Sequence, residues 1–163
     1  MDQDLVEKKK LLIEKLGVFI EKRDNLAPVA ARILSYIILT GKTGTTFEDL
    51  VTDLCASKST ISTHLNHLLD LKSLNYFTKP GDRKKYYILN RDSIIQNMDK
   101  MIQMWKAELD LHLEIKQYKK DMNVVLDDES KFEMTFHDDY ITYLNVVMES
   151  VVILKEKLTE THS

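Results

Sequence analysis

The chain has 163 residues, 44% of them apolar and 30% charged, with a formal net charge of −3 and only four glycines and two prolines. That composition excludes a disordered or loop-rich chain and predicts one compact, mainly helical module. The longest apolar runs, at 36–39 and 151–154, fall far short of the roughly 18–20 residues that span a bilayer. The acidic start Met1-Asp2-Gln3-Asp4 lacks the basic and apolar regions of a secretory signal, and the single Cys55 has no internal disulfide partner. A cytoplasmic protein with no membrane partner is the expectation.

Residues 4–23 are expected to form an amphipathic helix, with Leu5, Leu12, Leu16 and Phe19 on one stripe and no internal repeat evident. Pro28 suits the first turn of a second helix, which carries Val29, Ile33, Ile37 and Ile38 and stops at Gly41, read as a left-handed cap. Gly44 follows in a short turn. Thr46 opens a third helix, with Asp49 where a capping box usually has Glu or Gln. Phe47, Leu50, Val51 and Leu54 form its buried face. Ser57 caps a fourth helix running to about Leu71, with Ile61, Leu65, Leu68 and Leu69 inward. Two short helices joined by so tight a turn make a helix-turn-helix.

The period then changes. Residues 74–78 and 85–89 are aromatic-rich strand patterns around Lys79-Pro-Gly-Asp-Arg-Lys84, a hairpin with a loose basic tip. Asp92 or Ser93 is expected to cap a long helix to about residue 122, with Ile95, Met98, Ile102, Trp105, Leu109 and Leu113 at three- and four-residue steps. After a break at 127–130, a last helix carries Tyr140, Leu144, Val147, Met148, Val151, Leu154 and Leu158. The predicted fold is mainly α with a small β-hairpin wing. Its divisions are an N-terminal dimerisation helix (1–25), a winged helix-turn-helix (26–91) and a C-terminal helical dimerisation and effector region (92–163).

Charge is segregated along this layout. Residues 57–91 hold 7 Lys/Arg against 2 Asp/Glu, while residues 92–163 hold 8 against 15. A short basic segment in an acidic chain is the footprint of phosphate contact on one surface. The fourth helix adds the pattern: Ser59, Ser62, Thr63 and Asn66 fall at i, i+3, i+4 and i+7, beside Ser57, Lys58, Thr60 and His67, with no acid before Asp70. Hydroxyls and amides bond phosphates and base edges alike, whereas a carboxylate would be repelled. Lys79, Arg83, Lys84 and Lys85 on the hairpin complete the DNA-contact set.

The runs Phe47-Glu-Asp-Leu-Val, Ala56-Ser-Lys-Ser-Thr-Ile-Ser-Thr-His-Leu and Gly81-Asp-Arg-Lys-Lys-Tyr-Tyr resemble MarR-type winged-helix regulators, nearest the GbsR-like branch. The resemblance covers residues 26–91 and, in layout, the flanking helices. It implies that 57–71 is the recognition helix and that Asp82 orients Arg83 toward the minor groove. Lys84, where many relatives have a second Arg, weakens bidentate contact there. It further implies a homodimer joined through the N- and C-terminal helices. Two DNA elements on a two-fold dimer predict a palindromic double-stranded operator, and the expected role is that of a repressor, with activation the open alternative. The resemblance leaves the effector open: Trp105, Tyr118, Tyr140 and Tyr143 are read either as core aromatics or as the walls of a crevice for a small-molecule effector such as a quaternary amine.

Cys55, between Leu54 and Ala56, is read as a buried structural thiol. No metal-ligand spacing, phosphate loop or base–nucleophile pair occurs, so no metal, cofactor or enzymatic activity is expected. The alternative to DNA binding is a winged-helix protein-interaction scaffold, which would tolerate acids on the fourth helix.

Overall fold

The computed structural model describes residues 3–160, so Met1 and Asp2 and the last three residues lie outside it. The elements run α1 (Gln3–Asp24), α2 (Pro28–Thr40), a 3-10 turn at Gly41–Thr43, α3 (Phe47–Asp53), α4 (Lys58–Asp70), β1 (Leu74–Thr78), β2 (Lys85–Leu89), α5 (Arg91–Val125) and α6 (Thr135–Glu160). The strand bounds are those expected from the change of period. They form one antiparallel pair with Leu74 opposite Leu89 and Thr78 opposite Lys85. The chain divides into two compact units, Met1–Ser93 and Ile94–Ser163.

In the first unit α2 is the central element, apolar nearly all round. Its Ala30, Ala31, Ile33, Leu34 and Ile37 are buried against Ile13 and Ile20 of α1, Leu50 of α3, Ile61, Leu65 and Leu68 of α4, and Leu74 and Tyr87 of the hairpin. Burying each large aliphatic side chain stabilises the unit by about 1.5–3 kcal/mol relative to leaving it in water. Ser35, fully buried on α2, returns its hydroxyl proton to the Ala31 carbonyl at 2.8 Å. Tyr36 ties α2 to α3 by donating to the Asp53 carboxylate. Both causes, burial first and the Asp53 bond second, push its phenol well above the usual range.

α1 differs from expectation. It is a three-fold heptad repeat, Leu5-Val-Glu-Lys, Leu12-Ile-Glu-Lys and Phe19-Ile-Glu-Lys. The buried stripe is the second position of the last two heptads, Ile13 and Ile20, with Gly17, while Val6 and Leu16 are half-buried. Leu5, Leu12 and Phe19 remain 58%, 40% and 57% exposed. The neighbouring arc wins because α1 approaches α2 where Gly17 has no side chain; a Cβ there would meet Arg32 Cγ at 3.0 Å.

Three helices end on non-glycine residues with positive φ: Asn25 at 51°, Cys55 at 50° and Lys72 at 56°. Lys72 closes a Schellman motif, its N–H donating to the Leu69 carbonyl at 2.9 Å and that of Ser73 to Leu68 at 3.0 Å. Gly41 is not a left-handed helical cap. Its φ of 71° comes with ψ of −144°, near a region essentially reserved for glycine.

The second unit is an antiparallel helical hairpin. Asp99 pairs with Lys155, Tyr140 donates to Glu108 at 2.7 Å, and Asn123 exchanges two hydrogen bonds with the Phe132 backbone. The long helix starts earlier and ends later than expected, and Asn90 rather than Asp92 or Ser93 caps it, accepting the Asp92 N–H at 3.2 Å. Among the described residues of α5 and α6 only His137 and Leu144 are buried. Met104, Leu111, Tyr118 and Val125, each seven residues from the last, form a stripe on α5 that is 55–76% exposed.

Candidate nucleic-acid interface

The Thr46 side chain accepts the Asp49 N–H at 3.2 Å and Asp49 accepts the Thr46 N–H at 2.9 Å, so Asp49 completes the capping box of α3 despite its shorter reach. The turn between α3 and α4 then runs through Cys55. Its positive φ swings the side chain outward, and the thiol, expected to be buried, is exposed. Ser57 restarts the helix by accepting the Thr60 N–H at 3.1 Å.

With Ile61, Leu65 and Leu68 turned into the core, the opposite side of α4 presents Lys58, Ser59, Ser62, Thr63, Asn66 and His67, all exposed. Asn66 and Ser62 make no side-chain hydrogen bond among the described residues. Thr63 gives its proton to the Ser59 carbonyl at 3.0 Å and keeps its oxygen free to accept. Thr60 is half-buried and its hydroxyl lies 2.7 Å from Ser57 Oγ, so it belongs to the cap as much as to the open face. From Ser59 to Asn66 the face is about 10 Å long, the rise of about three base pairs.

The hairpin is fastened to this unit by a bridge outside the named strands. Thr45 donates to the Tyr87 carbonyl at 3.0 Å, and Tyr87 donates back at 2.8 Å. Gly44 permits it, since its φ is 73° and an added Cβ would sit 2.9 Å from Tyr86 Cβ. Cross-strand rings stiffen the pair: Phe77 stacks on Tyr86 at 5.5 Å, and Tyr76 meets Tyr87 edge-on at 6.0 Å.

The tip, expected to be loose, is tied. The Asp82 N–H donates to the Lys79 carbonyl at 3.0 Å across Pro80 and Gly81, whose φ of 79° suits the third position of a type II turn. Asp82 accepts the Lys84 N–H at 2.9 Å and the Tyr86 hydroxyl at 2.6 Å. Those bonds hold its carboxyl below the ordinary range, the Tyr86 hydroxyl contributing most, and push the Tyr86 phenol up. The resemblance assigned Asp82 to Arg83; here its oxygens serve the wing's own backbone and Tyr86. Lys79 lies 3.7 Å above the Tyr86 ring and Lys85 4.1 Å above Tyr76, so both cations stand on aromatic faces. Arg83 and Lys84 are exposed and, with Lys85, line a cleft of about 420 Å³ whose other walls are Phe47, Glu48 and Tyr87.

The aromatic residues assigned to an effector lie in the second unit. Tyr140 and Tyr143 come together, ring centroids 5.7 Å apart, and Tyr140 also stacks on Phe136 at 5.5 Å and lies 4.6 Å from His112. Phe136 and His112 were not anticipated. Trp105 is half-buried on α5 and Tyr118 is exposed there. Glu108, beside these rings, already accepts the Tyr140 hydroxyl. Among the described residues no group of three or more His, Cys, Asp or Glu is placed to hold a metal ion, and no helix is long and apolar enough to cross a membrane.

No family model matches the chain, and no curated protein matches its sequence. Among solved structures it is similar to a crystal structure of a transcriptional regulator at 19% identity, over 94% of this chain and 99% of that one, with a TM-score of 0.52. It is also similar to the transcriptional regulator Tm0710 from Thermotoga maritima (17% identity, 91% and 94% covered, TM-score 0.43). A third likeness is to MepR, a transcription regulator of the Staphylococcus aureus multidrug efflux pump MepA (16% identity, 91% and 94% covered, TM-score 0.41). The first likeness extends over nearly the whole of both chains and supports the fold: a helix-turn-helix, a two-stranded wing and long helices at either end.

Proposed function

We propose that this chain is a sequence-specific DNA-binding transcription regulator of the MarR type. The observation that carries the proposal is the outward face of α4, short hydroxyls and an amide with no acid before Asp70, on the same unit as a tied basic wing. In this reading Ser59, Ser62, Thr63 and Asn66 meet base edges in the major groove, with Asn66 suited to adenine. Ser57, Lys58, Thr60 and His67 meet the sugar-phosphate rim. Arg83 and Lys84 reach phosphates or a narrow minor groove, with Lys79 and Lys85 supporting from their aromatic seats.

A homodimer on a palindromic operator is part of the proposal. Its support is apolar surface: the Leu5, Leu12, Phe19 stripe of α1 and the Met104-to-Val125 stripe of α5 recur at heptad spacing and stay open to water in a single chain. Two long helices that bury two of their described residues call for further burial, since helix stability comes chiefly from packing. The residue resemblance adds the GbsR-like branch and repression to this reading, and the single cysteine adds the cytoplasm. The rings around Tyr140 and Tyr143 are its candidate effector contacts, with Trp105 and Tyr118 more distant members.

The test is fluorescence anisotropy on duplexes selected from a random library, against scrambled ones, across a salt series. Asn66→Ala should lose about 1–3 kcal/mol on the selected site and little on scrambled DNA. Arg83→Ala should weaken binding to both and lower the slope of log affinity against log salt by about 1. If neither substitution alters affinity or slope, α4 and the wing are solvated surfaces and the scaffold alternative takes over. Light scattering should give twice 19.0 kDa.

A further inference from the structure

The α5–α6 hairpin holds a cluster with no part in DNA contact. His137, in the first turn of α6, is 5% exposed. Its Nδ1 lies 3.1 Å from Nδ1 of His112 on α5, and its Nε2 lies 3.0 Å from Nζ of Lys119, two turns along the same helix. These contacts determine the tautomers. An ammonium has donors and no acceptor, so Lys119 donates and His137 Nε2 accepts. A neutral ring accepting at Nε2 carries its proton on Nδ1, so His137 donates to His112 Nδ1, and the proton of His112 sits on Nε2. Both bonds exist together only while both rings are neutral.

The surroundings offer an added proton little compensation. The charged groups that act on His137 are Lys119 and Lys116 on α5 and Asp138 on α6; Glu108 reaches the cluster only through Tyr140. Asp138 is ion-paired with Lys116, and Glu108 accepts the Tyr140 hydroxyl. Rings enclose the rest, with Tyr140 4.6 Å from His112 and Phe136 5.7 Å from His137.

We propose that the His112–His137 pair is a proton-operated latch between α5 and the first turn of α6. A proton added at His137 Nε2 sets an N–H against the Lys119 ammonium; one added at His112 Nδ1 sets it against the N–H of His137. Either way a hydrogen bond is lost and two N–H groups face each other, at Lys119 with a full positive charge on each side, so the turn comes away from α5. The segment that would move with it, around Phe132, is otherwise held by Asn123 and by the Lys119 chain lying 5.4 Å from the Phe132 ring.

Burial, then the charge of Lys119, then His112, hold His137 below the ordinary histidine range, with Asp138 opposing and Lys116 adding a little. The sign follows. Between the folded value and the unfolded value of about 6.5, the unfolded chain binds more protons. The latch therefore stabilises the fold fully above that window, and its contribution is lost as pH falls through it.

Long-range imidazole nitrogen NMR on the full-length chain tests this directly. At about pH 7.5 His137 should show the Nδ1–H form and His112 the Nε2–H form. His137 should titrate below about 6.5, and backbone signals from 130 to 140 should move with it. His137→Gln supplies a neutral amide donor and acceptor that cannot titrate, so melting temperature should fall less between about pH 7.5 and 5.5 than in the wild type. A His137 that titrates at or above the ordinary value overturns the proposal. So does a Gln variant with wild-type acid sensitivity.

Discussion

Replacing Gly44 by Ala should be among the most damaging small changes in the first unit. Two costs combine. The backbone at Gly44, φ 73° and ψ 162°, lies in a region essentially reserved for glycine, and holding an L-residue there costs about 1–3 kcal/mol. The new Cβ would also meet Tyr86 Cβ at 2.9 Å, Phe77 Cε1 at 3.2 Å and the Tyr86 carbonyl carbon at 3.3 Å, all inside the optimal 3.5–4.0 Å separation. Overpacking of this kind adds about 1–3 kcal/mol, because the neighbour is backbone and stacked ring rather than a free chain end. Gly41 supplies the control: its φ is 71°, but nothing lies within 4 Å of an added Cβ. Gly41→Ala should therefore show the strain alone, and Gly44→Ala should exceed it by about 1–3 kcal/mol. Urea denaturation of both variants measures the difference, and the Tyr86 ring signals should shift only in Gly44→Ala. Equal losses at the two sites would refute the close approach of the 44–45 segment to the wing.

The remaining predictions are smaller in scope. Lys72→Gly should stabilise the chain by about 0.5–1 kcal/mol, since it relieves a left-handed non-glycine cap at some cost in unfolded-state entropy; a loss of stability on denaturation would show the Schellman geometry to be wrong. Leu68→Ala, at a fully buried position on α4, should cost about 2–5 kcal/mol by the same assay, and a loss under 1 kcal/mol would mean α4 is not seated as described. Tyr86→Phe keeps the Phe77 stack but removes the Asp82 bond, so the Asp82 carboxyl should titrate closer to its ordinary value in a carbon-detected NMR titration. The wild-type Asp82 value is depressed in the fold, so the clamp is intact above about pH 3.9 and is lost as pH falls through the folded value. Wing amide signals that stay unchanged through that titration would argue against the clamp.

The helix-turn-helix and wing were legible in the sequence because their determinants are local. Ser57 and the Thr46–Asp49 box lie within one turn of the N–H groups they cap, and the change from helical spacing to aromatic strand runs fell at the bounds later seen for β1 and β2. The open face of α4 followed from the same periodicity, since placing Ile61, Leu65 and Leu68 inward leaves Ser59, Ser62 and Asn66 outward. Other features depended on residues distant in sequence or on backbone geometry. In α1 two apolar arcs are offset by one residue per heptad, Leu12 beside Ile13 and Phe19 beside Ile20; only the approach of α2 at Gly17 chose which to bury. Cys55 sits between two half-buried neighbours, yet a positive φ turned it outward, and nothing in its residue type signals that. Asp82 had Arg83 adjacent and Tyr86 four residues on, and the return of the hairpin brought the hydroxyl to its oxygen. His112 and His137 are 25 residues apart on different helices, so no spacing rule joins them; the antiparallel register of α5 and α6 alone makes them a pair.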